Sequence, residues 1–239
     1  MDPQIVFPNP RHADEYGLVA VGGDFRPQML IAAYAAGIFP WPTDEFPYAW
    51  FSPDPRMILL PSDFHRSRSL RKTLRRGRFR TTFDTAFERV IGHCAEVPRA
   101  NDGATWIADE LRYGFIELHR LGLAHSVEVW RGDDLVGGLY GTSLGAMFGG
   151  ESMFSLEPDA SKIALSALVD LCQAWDLRFI DCQVHSDHLE SLGAEEWPRD
   201  VFLDELAEAL EAPTRLGAWT GAPELSPAPE APPPGDPGV

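Results

Sequence analysis

Apolar residues recur along this chain at two spacings, one that suits helices and one that suits strands. Pro27 at a first helical position opens a short apolar helix to about Ala36, which Gly37 and Pro40 stop. Leu70 and Leu74 share one face of a helix predicted over 68–76, with arginines around them and Gly77 at its end. Asp84 is expected to cap a helix running to about His93. Ile107, Leu111, Phe115 and Leu118 mark a second amphipathic helix, ended by Gly122. The period then changes. Residues 125–131 and 135–142 read as strands around the turn Gly132-Asp133-Asp134, and 146–154 follows the Gly145 turn as a third. A helix capped by Asp159 runs to about Trp175, and 177–183 reads as a buried strand. A short helix over 187–192 is stopped by Gly193, and a terminal helix spans 200–211. Helices, a three-strand meander, a further helix and a further strand predict an α+β fold with a mixed sheet.

The first sixty residues stand apart. They are rich in Gly, Pro and aromatics, with a turn at Gly22-Gly23, Trp41-Pro42 in a Pro-rich loop, and Trp50-Phe51-Ser52-Pro53-Asp54-Pro55-Arg56 on an extended, irregular path. They predict a small N-terminal domain over 1–60, followed by a larger domain over 61–212. Residues 213–239 hold 8 prolines among 27 residues and little that is apolar, so a disordered tail is expected there. No internal repeat is evident.

Composition narrows the function classes. A chain of 239 residues, 44% hydrophobic and 23% charged, has room for one large domain or two modest ones and is not disordered as a whole. No apolar run approaches the ~18–20 residues of a membrane span. Met1-Asp2-Pro3-Gln4 lacks the basic and apolar stretches of a signal peptide. Cys94, Cys172 and Cys182 are too scattered for a disulfide framework and form no CxxC pair, so a reduced cytoplasmic protein is expected. The net charge of −16 argues against nucleic acid until its distribution is read. Residues 65–80 contain eight Arg or Lys and no acid, whereas ten acids and only two arginines lie from Glu195 onward. A basic patch on an acidic body suits a polyanion and orients it, since the acidic remainder repels phosphate elsewhere.

Three generic catalytic motifs are missing: there is no P-loop, GxGxxG or HExxH. Gly137-Gly138 and Gly149-Gly150 lie in the meander and open no helix. His185 and His188 are three apart with no Cys or carboxylate set to complete a shell, so no metal site is expected. Cys182 inside an apolar strand reads as a small core residue. Two polar features are harder to dismiss. Asp181 and Gln183 end an apolar strand and, by alternation, point to one face. Glu151 ends the third meander strand. The plain alternative is a buried hydrogen-bond network. Leu139, Phe148, Met153 and Ile180 lie on the same strands, however, and could line an apolar pocket beside these acids. Tyr34, Trp41, Trp50 and Trp106 suit core packing. Trp41 in its loop and Trp106 at a helix start also suit base stacking near the basic patch.

At this point the residues match a pattern in order from residue 7 to about 203. It includes Gly22-Gly23-Asp24, Ala33-Tyr34, Gly37-Ile38-Phe39-Pro40-Trp41, Ser52-Pro53-Asp54-Pro55-Arg56 and Thr105-Trp106-Ile107. It continues with 124–130, 135–141, 150–155, Ala160-Ser161-Lys162, Asp181-Cys182-Gln183 and Ser191-Leu192-Gly193-Ala194. The sequence resembles the leucyl/phenylalanyl-tRNA–protein transferase family. That resemblance implies transfer of Leu, Phe or less readily Met from aminoacyl-tRNA to the α-amine of a protein beginning with Arg or Lys, which marks it for degradation. It implies a small N-terminal domain on a larger domain similar to the acetyltransferase (GNAT) superfamily, without coenzyme A or any other cofactor. It assigns catalytic roles to Asp181, Gln183 and Glu151, and base stacking to Trp41 and Trp106 with Tyr34 nearby. The amino-acid pocket falls on Leu139, Phe148, Met153, Leu168 and Ile180. The basic helix, with Arg66, Arg68, Arg71, Lys72, Arg75 and Arg76, is expected to meet tRNA phosphates, and the protein to act as a monomer. Phe115 stands where relatives often carry Tyr, Ser186 where Asn is expected, and the Pro-rich tail lies outside the pattern.

The residues fit such chemistry. Asp181 is expected to hold Gln183, and Gln183 to hold the attacking amine or polarise the ester. Asp181 and Glu151 are candidates for the anionic subsite that a cationic first residue needs. A non-catalytic RNA-binding module explains the arginines and tryptophans but not an apolar pocket beside acids. An acetyl-CoA-dependent acyltransferase wants a Gly-rich turn opening a helix, which this chain lacks.

Overall fold

The computed structural model describes residues 5–96 and 109–221. In the first part, β1 (Leu18–Val21), β2 (Phe39–Pro40) and β3 (Ala49–Phe51) form an antiparallel sheet with β3 in the middle. Fully buried Trp50 donates its indole N–H to the Gly22 carbonyl at 2.8 Å and so fixes the Gly22-Gly23 turn. Helix α1 (Pro27–Ala35) starts at Pro27, whose missing N–H has no helical partner in a first turn. It ends where Gly37 takes a φ of 75° and the Ile38 amide bonds back to the Ala33 carbonyl at 2.9 Å. Leu203 and Phe202 would meet any side chain at position 37, so only glycine fits. This turn delivers Phe39 to Trp41 to the edge of the larger body.

That body is a seven-stranded mixed sheet. Its strands are β4 (Arg56–Leu59), β5 (Arg80–Phe83), β6 (Ala124–Arg131), β7 (Asp134–Leu144), β8 (Met147–Ser155), β9 (Phe179–Gln183) and β10 (Glu195–Trp197), in the order β10-β4-β9-β8-β7-β6-β5. Only β8 and β9 pair in parallel. Helix α5 (Ala160–Ala174) makes the crossover that a parallel pair requires. With α2 (Arg68–Arg75) it covers one face, over a core that includes Leu139, Phe148, Leu168 and Ile180. On the other face, α3 (Phe87–Glu96), α4 (Asp109–Arg120), α6 (Arg199–Ala209) and α1 pack over a second core with Tyr34, Phe115, Tyr140 and Phe202. Gly137 allows the start of α5 to sit against β7: a Cβ there would lie 2.5 Å from that of Ala160. The paired glycines of β7 therefore serve packing, in keeping with their position inside a strand.

The α+β class and the meander hold, and the differences have local causes. β4 precedes residue 60 yet pairs inside the large sheet, so the small sheet's segment ends before Arg56. β4 escapes the pattern because it is four residues long, buried throughout and headed by an arginine. β5 starts at the last arginine of the basic run and is only four residues long, and β10 is a short edge strand with two exposed glutamates. Asp84 does not cap α3, which begins three residues later. Its φ is 57°, and its carboxylate accepts from the Ser126 amide and lies 2.8 Å from His125 Nδ1. Asp159 stands at the N-cap of α5, but its carboxylate accepts from Thr73 on α2 rather than from the helix.

Residues 213–221 are not a structureless tail. Thr214 Oγ1 accepts from the Gly145 amide at 2.9 Å, and Trp219 is buried with its N–H on Asp84 at 2.7 Å. A single tryptophan is enough to dock a segment whose composition otherwise resists burial. Among the described residues no helix is long and apolar enough to cross a membrane.

Candidate active site

The site lies where two strands part. β8 and β9 pair at Met147–Phe179, Phe148–Ile180 and Gly149–Asp181, and the pairing stops there. Beyond it, Gln183 takes a left-handed backbone with φ of 68°, which breaks the strand alternation. Asp181 and Gln183 therefore do not share a face as alternation predicts. Asp181 turns away from the opening, while the Gln183 side chain turns into it.

Asp181 is held by Arg56 at the start of β4. Arg56 Nε donates to Asp181 Oδ1 at 2.8 Å and Nη2 donates to Oδ2 at 2.7 Å. Both residues are at most 1% exposed. The guanidinium lies 4.7 Å from the Phe39 ring and 4.5 Å from that of Phe202, which offsets part of the desolvation of its unpartnered Nη1. Asp181 Oδ1 also accepts from the Gln183 backbone amide at 2.9 Å. Asp181 thus fixes the strained backbone of Gln183 rather than its side chain, and its charge is already matched by Arg56. It is a positioning residue, and the expectation that it offers a free anionic subsite is corrected by this pairing.

Glu151 takes the role expected of Asp181. Its Oε1 accepts from Gln183 Nε2 at 2.8 Å and from the Tyr34 hydroxyl at 2.7 Å, while buried Oε2 has no partner among the described residues. Burial pushes its carboxyl up to about 8, and the nearby Asp181 charge adds to the rise against the pull of Tyr34, Gln183 and Arg56. The neutral acid fits this geometry, in which Oε1 accepts twice and Oε2 is left to carry the proton. The Tyr34 hydroxyl is itself raised, by burial first and by Glu151 second, so it stays a donor.

Beside this polar floor is a pocket of about 310 Å³. Leu139, Phe148, Met153, Leu168 and Ile180, all named from the sequence, line it, and Leu165 of α5 joins them. Trp41 stands at its edge together with Pro40, Ser186 and His188. Tyr34 reaches the site only through Glu151. Trp106 lies outside the described residues. Cys182 lines the pocket and is not core. Phe115 is fully buried, with its ring edge-on to Tyr140, so it belongs to the core behind Tyr34. The sequence reading missed Arg56 as a functional residue. The available signal was an arginine heading the apolar run Met57–Leu60, which needs a buried acid for a partner. His185, Asp187 and Glu190 gather their ligand atoms within 4.8 Å at the exposed rim, a cluster that spacing alone did not suggest.

The basic helix divides. Arg68, Arg71, Lys72, Arg75 and Arg76 are exposed, while Leu70 is fully buried and anchors the helix. Ser67 caps it by accepting from the Leu70 amide. Arg66 is different. It bonds to Ser166 and pairs with Asp170 of α5, so it fastens the helix to the body and is not available to phosphate.

Fold and site together describe an α+β protein with a largely apolar pocket that meets a buried acid and amide. The sequence matches the leucyl/phenylalanyl-tRNA protein transferase family over residues 58–207, and the N-terminal domain of that family over 23–54. A leucyl/phenylalanyl-tRNA–protein transferase of Myxococcus xanthus (strain DK1622) is 54% identical over 215 residues, 90% of this chain and 92% of that protein. Proteins of the same name from Anaeromyxobacter sp. (strain Fw109-5) and Desulfatibacillum aliphaticivorans are 51% and 52% identical, each over 90% of this chain and 92% and 93% of their own lengths. The chain belongs to the leucyl/phenylalanyl-tRNA–protein transferase family, a family of aminoacyltransferases.

The two buried carboxylates make opposite predictions. Replacing Arg56 by Met strands the Asp181 charge and is expected to cost about 3–5 kcal/mol in urea unfolding, whereas Arg56→Met with Asp181→Leu recovers most of it. For Glu151 the folded state favours the proton, so its contribution is complete below the ordinary value of 4.5 and is lost as pH rises through about 8. Glu151→Gln removes that dependence. Relative to wild type, the variant is expected to gain on the order of a few kcal/mol between pH 5 and pH 9.

Proposed function

We propose that the protein, acting as a monomer in the cytoplasm, transfers Leu, Phe and less efficiently Met from aminoacyl-tRNA to the α-amine of proteins that begin with Arg or Lys, marking them for degradation. The observation that carries this reading is the Gln183 amide, fixed by Glu151 beside an apolar pocket. A Leu or Phe side chain in the pocket places its ester carbonyl near that amide. There the Gln183 amide orients the incoming amine or polarises the ester.

Such a site needs little more. The aminoacyl ester is already activated, and an α-amine with pKa near 7.7–8.0 is about a tenth to a sixth neutral at pH 7. Selecting that form costs only about 1–1.5 kcal/mol, whereas positioning it against the ester contributes up to ~7–11 kcal/mol. Gln183 and Asp181 therefore act chiefly by orientation. Glu151 supports the choice of acceptor. A cationic side chain near Oε2 favours the ionised carboxyl and draws its pKa back down, while an acidic or small first residue does not. Trp41 at the pocket edge suits stacking of the terminal base, and the same role is proposed for Trp106. The exposed Arg68, Arg71, Lys72, Arg75 and Arg76 suit the tRNA backbone.

Transfer of labelled Leu from charged tRNA to a protein beginning with Arg tests the reading. Leu and Phe are expected to transfer, Met less well, and Arg or Glu donors poorly. Met153→Asp is expected to abolish transfer in a protein that still folds. Efficient transfer of Arg, or equal use of acceptors beginning with Asp, would contradict it. The basic helix makes a separate prediction. Arg71→Ala with Arg75→Ala is expected to lower the log–log salt slope of tRNA binding by more than one unit, at about 0.7–0.9 per phosphate contact. Transfer from an aminoacyl-adenosine, which lacks the tRNA body, is expected to be nearly unchanged.

A further inference from the structure

One pocket wall is propped from behind by a residue the pocket does not contain. Phe148 is fully buried, and its ring both lines the pocket and leans over β7 at Gly141. A Cβ at position 141 would lie 2.5 and 2.7 Å from two of its ring carbons, so the ring rests on bare backbone. The ring also packs against Trp219, with ring centroids 5.9 Å apart.

Trp219 is firmly placed. It stacks face to face on His125 at 3.7 Å and meets Trp175 edge-on at 5.2 Å. Its segment is tied to the body by Thr214 on Gly145, by the Gly217 amide on the Gly122 carbonyl, and by the Trp219 amide on Asp84. Its indole N–H is buried without a hydrogen-bond partner among the described residues, so the ring is held there for its shape. Trp219 lies beyond residue 207, where the family match ends, and no side chain of that segment lines the pocket.

We infer that Trp219 is a positioning residue that sets the size of the pocket by fixing the Phe148 ring. This rests on the reading of the pocket as the site of the donor side chain. With Trp219 in place the ring cannot retreat, because packed interiors leave no space for it. With a smaller residue there, the ring moves back into the vacated volume, and the pocket accepts the larger donor more readily.

The test compares kcat/KM for Phe and for Leu, each from its charged tRNA, in wild type, Trp219→Leu and Trp219→Phe. Trp219→Leu is expected to raise the Phe-to-Leu ratio about three- to tenfold, a part of what one methylene is worth in such a pocket. Trp219→Phe, which keeps an aromatic ring against Phe148, is expected to stay within about twofold of wild type. If Trp219→Leu does not fold by circular dichroism, Trp219→Met replaces it, with a shift in the same direction of at least about twofold. A folded variant in which Leu and Phe transfer fall together at an unchanged ratio overturns the role of Trp219 and leaves the pocket reading intact. Wild-type protein that transfers neither residue overturns both.

Discussion

The buried pair between Arg56 and Asp181 is the interaction on which the rest of the site depends. Two opposite charges taken out of water are tolerable only with good geometry, and here two parallel hydrogen bonds and two aromatic rings provide it. The pair joins β4 to β9 at the point where β9 leaves β8. Through Asp181 it also fixes the Gln183 amide. Without it, the left-handed turn at Gln183 would have no reason to persist, since a non-glycine residue at positive φ is held only by its surroundings. The cost of burying the pair is thus linked to the placement of one side chain.

That placement creates a division of labour across the opening. On the α5 side the walls are aliphatic and aromatic. On the α1 side, Tyr34 reaches Glu151 from the opposite core. Burial strengthens each hydrogen bond to Glu151 and pushes its carboxyl up to about 8.

Charge works on a larger scale. The exposed arginines of α2 stand on a body of opposite sign, and Arg66 is withdrawn from them to bind the helix to α5. One arginine in this run is thus structural and its neighbours are electrostatic, a distinction of burial and not of residue type.

Periodicity alone was enough for the long elements: the meander, the α5 crossover and the basic helix each repeat their pattern often enough to overrule local noise. Residue identity also carried the pocket walls Leu139, Phe148, Met153 and Ile180, because they lie on strands that must be neighbours, while Leu168 came only with the family resemblance. What it could not carry was direction at the strand ends. Alternation put Asp181 and Gln183 on one face, and a single positive φ at Gln183 separated them. That angle is held through Asp181, itself fixed by Arg56, 125 residues earlier in sequence than Asp181, in a contact that exists only once β4 has inserted beside β9. The same is true of Trp219. Its segment reads as unable to fold because local composition holds no core, and it is ordered because His125 and Trp175 supply one. Sequence therefore determined many of the residues that form the site, but not Arg56 or Leu165. Tertiary structure decided which atoms face one another, because buried charges and rings take their geometry from partners that are distant along the chain.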